Sequence, residues 1–186
     1  MDWITQMDLS ILHMIVQYLH APWLDLGMAW FTKLGNSGAI WLALGIGLSL
    51  TKEYRTVGMA MLLALIMGMV ICHFAIKPMV GRLRPFLVDP SFHLVIKPPT
   101  GYSFPSGHTW SSFAAVAVAM MHRLKGRYII LLAAVVMAFS RLYLTVHYPT
   151  DILGGIIIGL FLGYISVKLV EYYWLNDQDV VSESMS

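Results

Sequence analysis

Two long apolar runs without charged residues restrict the fold of this chain more than any other feature. Residues 56–76 contain no Asp, Glu, Lys or Arg, and residues 152–167 form a second run of this kind. Since a membrane-crossing helix needs about 20 apolar residues, the first run is long enough to span a bilayer. Of the 186 residues, 58% are hydrophobic and 12% are charged, which is too apolar for a soluble domain of this size. The sequence therefore predicts an integral membrane protein.

The same composition excludes several other classes of protein. A net charge of +2 is too small for a basic nucleic-acid-binding domain, so we expect no nucleic-acid partner. Cys72 is the single cysteine, which rules out a module held by internal disulfides. A disordered chain is excluded because the hydrophobic content is so high. Membrane lipids are the expected surroundings.

Shorter apolar segments at residues 36–50, 109–121 and 128–140 cross the bilayer only if their flanks join the helices. Backbone polar groups must be satisfied internally in lipid, and no strand-like alternation is present, so the crossings must be helices. We predict an all-α polytopic membrane helix bundle of five or six crossings. Gly155, Gly159 and Gly163 recur every four residues and predict a closely packed helix face.

The N-terminal region has a different character. Asp8 and His13 interrupt the apolar pattern, and Pro22 is expected to break a helix. We interpret residues 3–20 as an amphipathic interfacial helix, followed by a second piece that ends near Lys33. Whether these pieces cross the membrane is open. The predicted organisation is an interfacial or first membrane segment (1–35), a transmembrane helical core (36–175) and a polar cytoplasmic tail (176–186).

Basic residues predict the orientation in a cell membrane. They cluster in three regions that alternation of the helices brings to one side, namely Lys52 with Arg55, then Arg123 to Arg127, then Lys168. The positive-inside rule makes that side cytoplasmic. The loop between Pro78 and Pro105 then faces outward.

Three segments at the outward helix ends carry chemically useful residues. The first contains Lys77, Arg84 and Pro85, the second is Pro105-Ser106-Gly107-His108, and the third contains Ser140, Arg141, His147 and Asp151. Each residue alone has a structural explanation, such as a helix cap or a helix-end cation. Alternation of the helices brings all three segments to one face, however. Three cations, two histidines, a serine and a carboxylate have the composition needed to bind a phosphate and break its ester bond.

Chemical roles follow from the residue types. Lys77, Arg84 and Arg141 are suited to neutralise phosphoryl oxygens. The N–H groups of Ser106 and Gly107 begin a helix after a proline, where an anion is favoured.

The two histidines and the carboxylate complete the set. His147 is the candidate nucleophile, because Asp151 lies four residues on and can fix its tautomer. His108 is then the candidate general acid and base. Exchange of the two histidine roles is the main ambiguity.

Two further interpretations concern the same residues. His108, His147 and Asp151 could be metal ligands, but the three cations would repel a divalent ion, so we predict no metal and no cofactor. Arg82 lies between residues of the first segment. For Arg82 we favour a solvated loop charge over a headgroup contact.

The three segments resemble the signature of the type 2 phosphatidic acid phosphatase superfamily, Lys-x6-Arg-Pro, Pro-Ser-Gly-His and Ser-Arg-x5-His-x3-Asp. Every signature position is matched between Lys77 and Asp151, and the resemblance covers residues 38–168. It implies a metal-independent phosphatase with a six-helix core, a nucleophile at His147 and a general acid at His108. Short bacterial members are similar to undecaprenyl-diphosphate and phosphatidylglycerophosphate phosphatases.

The favoured function is therefore hydrolysis of a lipid phosphate at the outer membrane face through a phosphohistidine. Undecaprenyl diphosphate is the first-ranked substrate, with phosphatidylglycerophosphate second and phosphatidate third. Vanadate-dependent halide oxidation is an alternative from the same superfamily, but the membrane composition disfavours it. A lipid carrier without catalysis is the remaining alternative, and it would have no use for His147 and Asp151.

Overall fold

The computed structural model describes residues 2–184, with side chains described as far as Tyr173. This part of the chain is all helical and contains no strand. The helices are α1 (Trp3–Leu19), α2 (Pro22–Leu34), α3 (Ala39–Ser49), α4 (Arg55–Gly68), α5 (Lys77–Val80), α6 (Pro85–Val88), α7 (Gly107–Met121), α8 (Arg127–Tyr143) and α9 (Pro149–Ser184). A 3₁₀ turn, Asn36–Gly38, precedes α3, and a π-helical stretch, Met69–Ile76, joins α4 to α5.

Two helical stretches among the described residues have the length and composition to cross a membrane. They are Arg55–Val88 and Pro149–Tyr173, and Asn36–Ser49 is a shorter apolar helix. Large apolar side chains point outward from these helices and from α8, including Leu132 and Ile157. Such exposure is costly in water and normal in lipid. The all-α prediction is confirmed, while five or six crossings stays a prediction.

Helix α7 is the central element of the bundle. Every residue from Thr109 to Ala119 is buried, so α7 has neighbours on all sides. Helix α9 packs along it through the predicted glycine face. A Cβ at Gly159 would lie 2.4 Å from the Trp110 carbonyl oxygen, and one at Gly163 would lie 2.6 Å from that of Ala114. The close packing inferred from the glycine spacing is confirmed.

The two ends of the bundle differ in composition. Gly155 packs on Thr109 and Gly163 packs on Ala117, so α7 and α9 run in the same direction. Gly68, at the end of α4, packs instead on Trp110 near the start of α7. The basic loops before α4 and before α8 therefore lie at the same end as the distal part of α9. At the other end, α1 packs on α8 and α9, and α2 packs on α8. The three signature segments lie at this second end.

The N-terminal helices follow the sequence prediction closely. Helix α1 ends at Leu19, and Pro22 is the first residue of α2, where its missing N–H costs nothing. The predicted tail, 176–186, falls on the distal part of α9 and on two residues outside the described range. The division into segments 1–35, 36–175 and 176–186 stays a prediction.

Candidate active site

His147 lies in the connection between α8 and α9, and its ring is held on both sides. It is 2% exposed. Nδ1 lies 3.4 Å from Oδ2 of Asp151, which is in the first turn of α9. Nε2 lies 3.2 Å from Nη1 of Arg84. Because a guanidinium only donates hydrogen bonds, this geometry assigns the proton to Nδ1 and the lone pair to Nε2. The nitrogen that faces the cationic side is therefore the nucleophilic one.

Arg84 orders the loop that leads into the second segment. Its Nε donates to the carbonyl oxygen of Gly101 at 3.0 Å, and its Nη2 donates to that of Thr100 at 3.2 Å. Lys77, at the start of α5, donates from Nζ to the carbonyl oxygen of Tyr102 at 2.7 Å. Two cations of the first segment thus hold consecutive carbonyl groups of the Pro-rich loop. These contacts place positive charge against the loop beside His147.

The second segment begins α7, with Ser106 as its N-cap residue. The Ser106 N–H donates to the backbone carbonyl of Asp151 at 3.2 Å, so the second and third segments are joined directly. This differs from the expectation that the Ser106 N–H faces an anion. The N–H groups of the first helical turn, which start at Gly107, have no acceptor within the helix. A Cβ at Gly107 would meet only Nε1 of Trp110, at 4.0 Å, so there is open space on the side-chain side of Gly107.

Arg141 and His108 meet at a residue of α2. Arg141 is 3% exposed and donates from Nη1 to Oγ1 of Thr32, while its Nε has no partner among the described residues. His108 lies with Nε2 3.1 Å from the Thr32 carbonyl oxygen and 3.2 Å from Oδ1 of Asn36. A buried guanidinium with a free N–H is short of an acceptor, and an anion would supply one.

Two cavities lie on either side of His108. One, of about 250 Å³, is lined by Leu65, Met69 and Trp110 together with Lys77. The other, of about 440 Å³, is lined by Arg141 and Lys97. Asp and Glu are absent from the described lining of both cavities. An apolar cavity and a cationic cavity thus share one histidine.

The interpretation of Arg82 as a solvated loop charge is wrong. Its guanidinium stacks 3.8 Å from the ring centroid of Tyr148 and donates to two carboxylates. Nη1 lies 2.8 Å from Oδ1 of Asp151, and Nη2 lies 2.6 Å from Oδ2 of Asp8. Because both partners are distant in sequence, only the folded chain shows that this cation is structural.

Sequence reasoning also missed several polar partners. Ser103 donates from Oγ to Oδ2 of Asp151 at 2.5 Å, and its Oγ is 3.3 Å from Nδ1 of His147. The only sequence feature that indicated Ser103 is its position three residues before Ser106 of the second segment. Asp8, Thr32 and Asn36 precede residue 38, where the resemblance begins. Asp8 alone left a trace, as an acidic residue within an apolar helix.

The geometry does not fit the metal-site alternative. His108 faces Thr32 and Asn36, whereas His147 faces Asp151 on one side and the Arg84 cation on the other. Among the residues with described side chains, no three of the types His, Cys, Asp and Glu converge on a common point. The three residues considered as ligands are therefore not arranged as a set of metal donors.

Burial lowers the pKa of His147 to about 3, against an ordinary value of 6.5, although the hydrogen bond from its Nδ1 to Asp151 opposes this shift. The folded protein then binds fewer protons than the unfolded chain between about pH 3 and pH 6.5. Stability is expected to rise with pH across this window and to fall on acidification. Thermal unfolding of a His147→Gln variant should show a shallower pH dependence than wild type. A His93→Gln variant, altered at an exposed loop histidine, should keep the wild-type slope, and equal slopes for all three proteins would contradict the assignment.

Comparison with known proteins gives a consistent result. The family model described as "PAP2 superfamily" matches residues 57–175. The chain is 28% identical over 157 residues to an undecaprenyl-diphosphatase of Sulfolobus acidocaldarius, covering 83% of this chain and 75% of the relative. It is 30% identical over 162 residues to phosphatidylglycerophosphatase B of Bacillus subtilis, covering 79% and 75%. The crystal structure of a transmembrane PAP2-type phosphatidylglycerolphosphate phosphatase from Bacillus subtilis superposes with a TM-score of 0.74 at 24% identity, covering 92% of this chain and 88% of that one.

Proposed function

Because the chain belongs to the PAP2 superfamily, whose signature residues meet at one end of the bundle, we propose that it hydrolyses a lipid phosphate through a phosphohistidine at His147. One observation carries the proposal. The unprotonated Nε2 of His147 faces Arg84 while Nδ1 faces Asp151. That arrangement suits a nucleophile next to an anion-binding cation and is of no use to a carrier that only binds headgroups.

In the first step, the terminal phosphate enters between Arg84 and His147 and replaces their hydrogen bond. Lys77, Arg84 and Arg141 bind its oxygens with the N–H groups at the start of α7. Nε2 of His147 attacks phosphorus, so an N–P bond forms as the P–O bond to the lipid breaks. Burial lowers the pKa of His108 to about 2 in the free site, and the charge of the bound phosphate offsets this, so that His108 is protonated in the complex and donates that proton to the leaving oxygen. Asp151 stabilises the positive charge that develops on the imidazole ring.

In the second step, water takes the position of the leaving group. His108, now unprotonated, accepts a proton from this water as it attacks phosphorus. The N–P bond breaks, and inorganic phosphate leaves with His147 neutral again. The catalyst returns to its starting state without a metal or cofactor, which is part of the proposal.

The charge of the leaving group supports a substrate ranking. His108 borders the cationic cavity that contains Lys97 and Arg141, so an anionic leaving group would be stabilised there. The leaving group of undecaprenyl diphosphate is a lipid phosphate, which is anionic. The leaving group of phosphatidylglycerophosphate is a lipid that carries an anionic phosphodiester. The leaving group of phosphatidate is a neutral diacylglycerol. We therefore rank undecaprenyl diphosphate first, phosphatidylglycerophosphate second and phosphatidate third.

The orientation is part of the same proposal. The basic loops lie at the end of the bundle opposite the candidate site, and on the positive-inside rule we propose that the site faces the outside of the cell membrane. Undecaprenyl diphosphate is released at that face during wall synthesis, which suits this orientation.

Phosphate release by the detergent-solubilised protein tests the function. The four substrates are undecaprenyl diphosphate, phosphatidylglycerophosphate, phosphatidate and a water-soluble phosphate ester. We expect the first two to be the fastest and excess EDTA to leave all rates unchanged. Equal rates on all four would contradict the substrate ranking. Loss of activity in EDTA that one divalent ion restores would contradict the metal-free mechanism.

Lys97 tests the role of the cationic cavity. A Lys97→Gln variant is expected to raise the KM for the two substrates with anionic leaving groups by about threefold to fivefold, because an exposed ion pair contributes up to about 1 kcal/mol. The KM for phosphatidate should not change. Lys125→Gln, altered in the loop at the other end of the bundle, is the matched control. A uniform change across all substrates would contradict a leaving-group role.

A further inference from the structure

Asp8 is a wholly buried carboxylate on the N-terminal helix, outside the region that the family model matches. Its Oδ1 accepts from the Thr150 N–H at 3.1 Å, and its Oδ2 accepts from Oγ1 of Thr150 at 2.5 Å. Oδ2 also accepts from Nη2 of Arg82 at 2.6 Å. Burial of a carboxylate is costly unless it is paired and hydrogen-bonded, and this one is both. Asp8 therefore ties α1 to the residue that precedes Asp151.

Arg82 continues this connection into the candidate site. One edge of its guanidinium binds Asp8, and Nη1 binds Oδ1 of Asp151 at 2.8 Å. Nη1 also donates to Oγ1 of Thr150 at 2.6 Å, and the group is stacked on Tyr148. A planar guanidinium held at this many points has little freedom to rotate. Its position is set jointly by α1 and by the start of α9.

The two oxygens of Asp151 have separate partners. Oδ1 is held by Arg82, while Oδ2 accepts from the Tyr148 N–H at 2.9 Å and from Ser103 at 2.5 Å. Oδ2 is also the oxygen that faces Nδ1 of His147, at the long distance of 3.4 Å. A small rotation of the carboxylate therefore makes or breaks this contact. Arg82 fixes one end of the carboxylate, while the Tyr148 N–H and Ser103 fix the other.

Charge balance gives Asp8 a second effect. Asp8, Arg82 and Asp151 together carry a net charge of −1, whereas Arg82 with Asp151 alone would be neutral. With Asp8 present, the guanidinium is shared, and Asp151 keeps negative charge directed at His147. That charge stabilises the imidazole as it becomes positive on phosphorylation.

We propose that Asp8 is a positioning residue for the phosphatase reaction, acting through Arg82 on Asp151 and His147. This inference rests on the proposed function. Helix α1 thereby contributes a positioning residue to the site, although α1 precedes the signature segments in the sequence. The effect belongs to the chemical step, because Asp8 does not contact the cations that bind phosphate.

The test is the Asp8→Asn variant, measured for kcat, KM and product inhibition by inorganic phosphate. By analogy with the loss of residues that orient catalytic or metal-binding side chains, we expect kcat to fall by about 10-fold to 100-fold. KM and the inhibition constant of phosphate should stay within about twofold. Asp2→Asn is the matched control, since Asp2 is an exposed carboxylate at the start of the same helix and asparagine is also a good N-cap. It should keep wild-type kcat.

A double-mutant cycle separates positioning from a general loss of structure. If Asp8 acts through Arg82, the Asp8→Asn/Arg82→Gln protein should be no slower than Arg82→Gln alone. Arg82→Lys gives a second test, because lysine cannot bridge two carboxylates with a planar fork, and we expect the same loss of kcat at constant KM.

Each outcome decides between the hypotheses. A wild-type kcat for Asp8→Asn or for Arg82→Lys overturns the inference alone, as does full additivity in the cycle. A loss of kcat accompanied by an equal loss of phosphate inhibition also overturns it. A wild-type protein that releases no phosphate from any lipid overturns the proposed function and this inference together.

Discussion

Replacement of His147 by alanine is expected to reduce phosphate release by about ten-thousandfold or more, because the nitrogen that forms the covalent intermediate is removed. The neighbouring cations remain, so lipid binding should survive. The rate of phosphate release is measured on undecaprenyl diphosphate. The affinity of the inactive variant for the lipid is measured as the decrease in wild-type turnover when the variant competes for a limited amount of substrate. The His93→Ala variant, changed at an exposed histidine of the loop between α6 and α7, is the control and should retain full activity. Substantial turnover by His147→Ala would contradict the catalytic assignment and favour a different nucleophile.

Trapping of the phosphoenzyme resolves the exchange of histidine roles that the sequence leaves open. Acid-labile label from a ³²P-labelled substrate should be found on wild type and should be absent from His147→Ala. A His108→Ala variant should still be labelled and should lose the label slowly, because no base is left to activate water. The reverse pattern would make His108 the nucleophile. The structure favours the first outcome, since Nε2 of His108 faces the Thr32 carbonyl whereas Nε2 of His147 faces a guanidinium.

Replacement of Asp151 by asparagine is expected to lower kcat by about a thousandfold to ten-thousandfold, with little change of shape. An amide nitrogen in place of Oδ2 would lose the bond from the Tyr148 N–H and would donate to Nδ1 of His147, which moves the ring proton to Nε2 and removes its lone pair. An amide oxygen in place of Oδ2 would keep the tautomer but would lack the negative charge that stabilises the positive imidazole ring. The same change removes one carboxylate from Arg82, which is 19% exposed, so a lower melting temperature is also expected.

Steady-state kinetics and thermal unfolding measure these two effects separately. Asp89→Asn is the control, because Asp89 is a partly exposed carboxylate in the loop between α6 and α7 and pairs with His13 away from the candidate site. It should leave kcat unchanged. A normal kcat for folded Asp151→Asn would show that the tautomer of His147 is set by other groups, such as Ser103.

Much of the fold was predictable because it depends on local properties of the chain. Backbone N–H and C=O groups inside a bilayer must be hydrogen-bonded within the protein, so a helix over the uncharged residues 56–76 follows from composition alone. The break at Pro22 follows from the missing N–H of proline. The glycine spacing on α9 predicts close contact, and the structure shows that α7 is the partner. The number of crossings is not determined this way, since the shorter helices depend on how their ends are packed.

The candidate site was predictable only where residues are grouped along the chain. Lys77 with Arg84, Ser106 to His108, and Arg141 to Asp151 each form a short pattern with one chemical purpose. Arg82 has no such pattern, because its partners Asp8 and Asp151 come from opposite ends of the sequence. The sequence contains no pattern that marks Thr32 or Ser103 as part of the site, since an uncharged hydroxyl in a helix or a loop is common in any protein. The prediction that the N–H groups of Ser106 and Gly107 both face an anion was wrong for Ser106. The Ser106 N–H donates to the Asp151 carbonyl oxygen, so the free N–H groups of α7 start at Gly107.

The sequence by itself predicted a helical membrane protein and indicated the side chains that we propose to bind and transfer a phosphoryl group, because hydrophobicity and functional-group chemistry belong to individual residues. Only the tertiary structure decided which nitrogen of His147 holds the lone pair, and that a carboxylate on the first helix is connected to that ring through Arg82. Hydrogen bonds and ion pairs act over about 3 Å. Residues as far apart in sequence as Asp8 and Asp151 therefore meet only after the helices have packed.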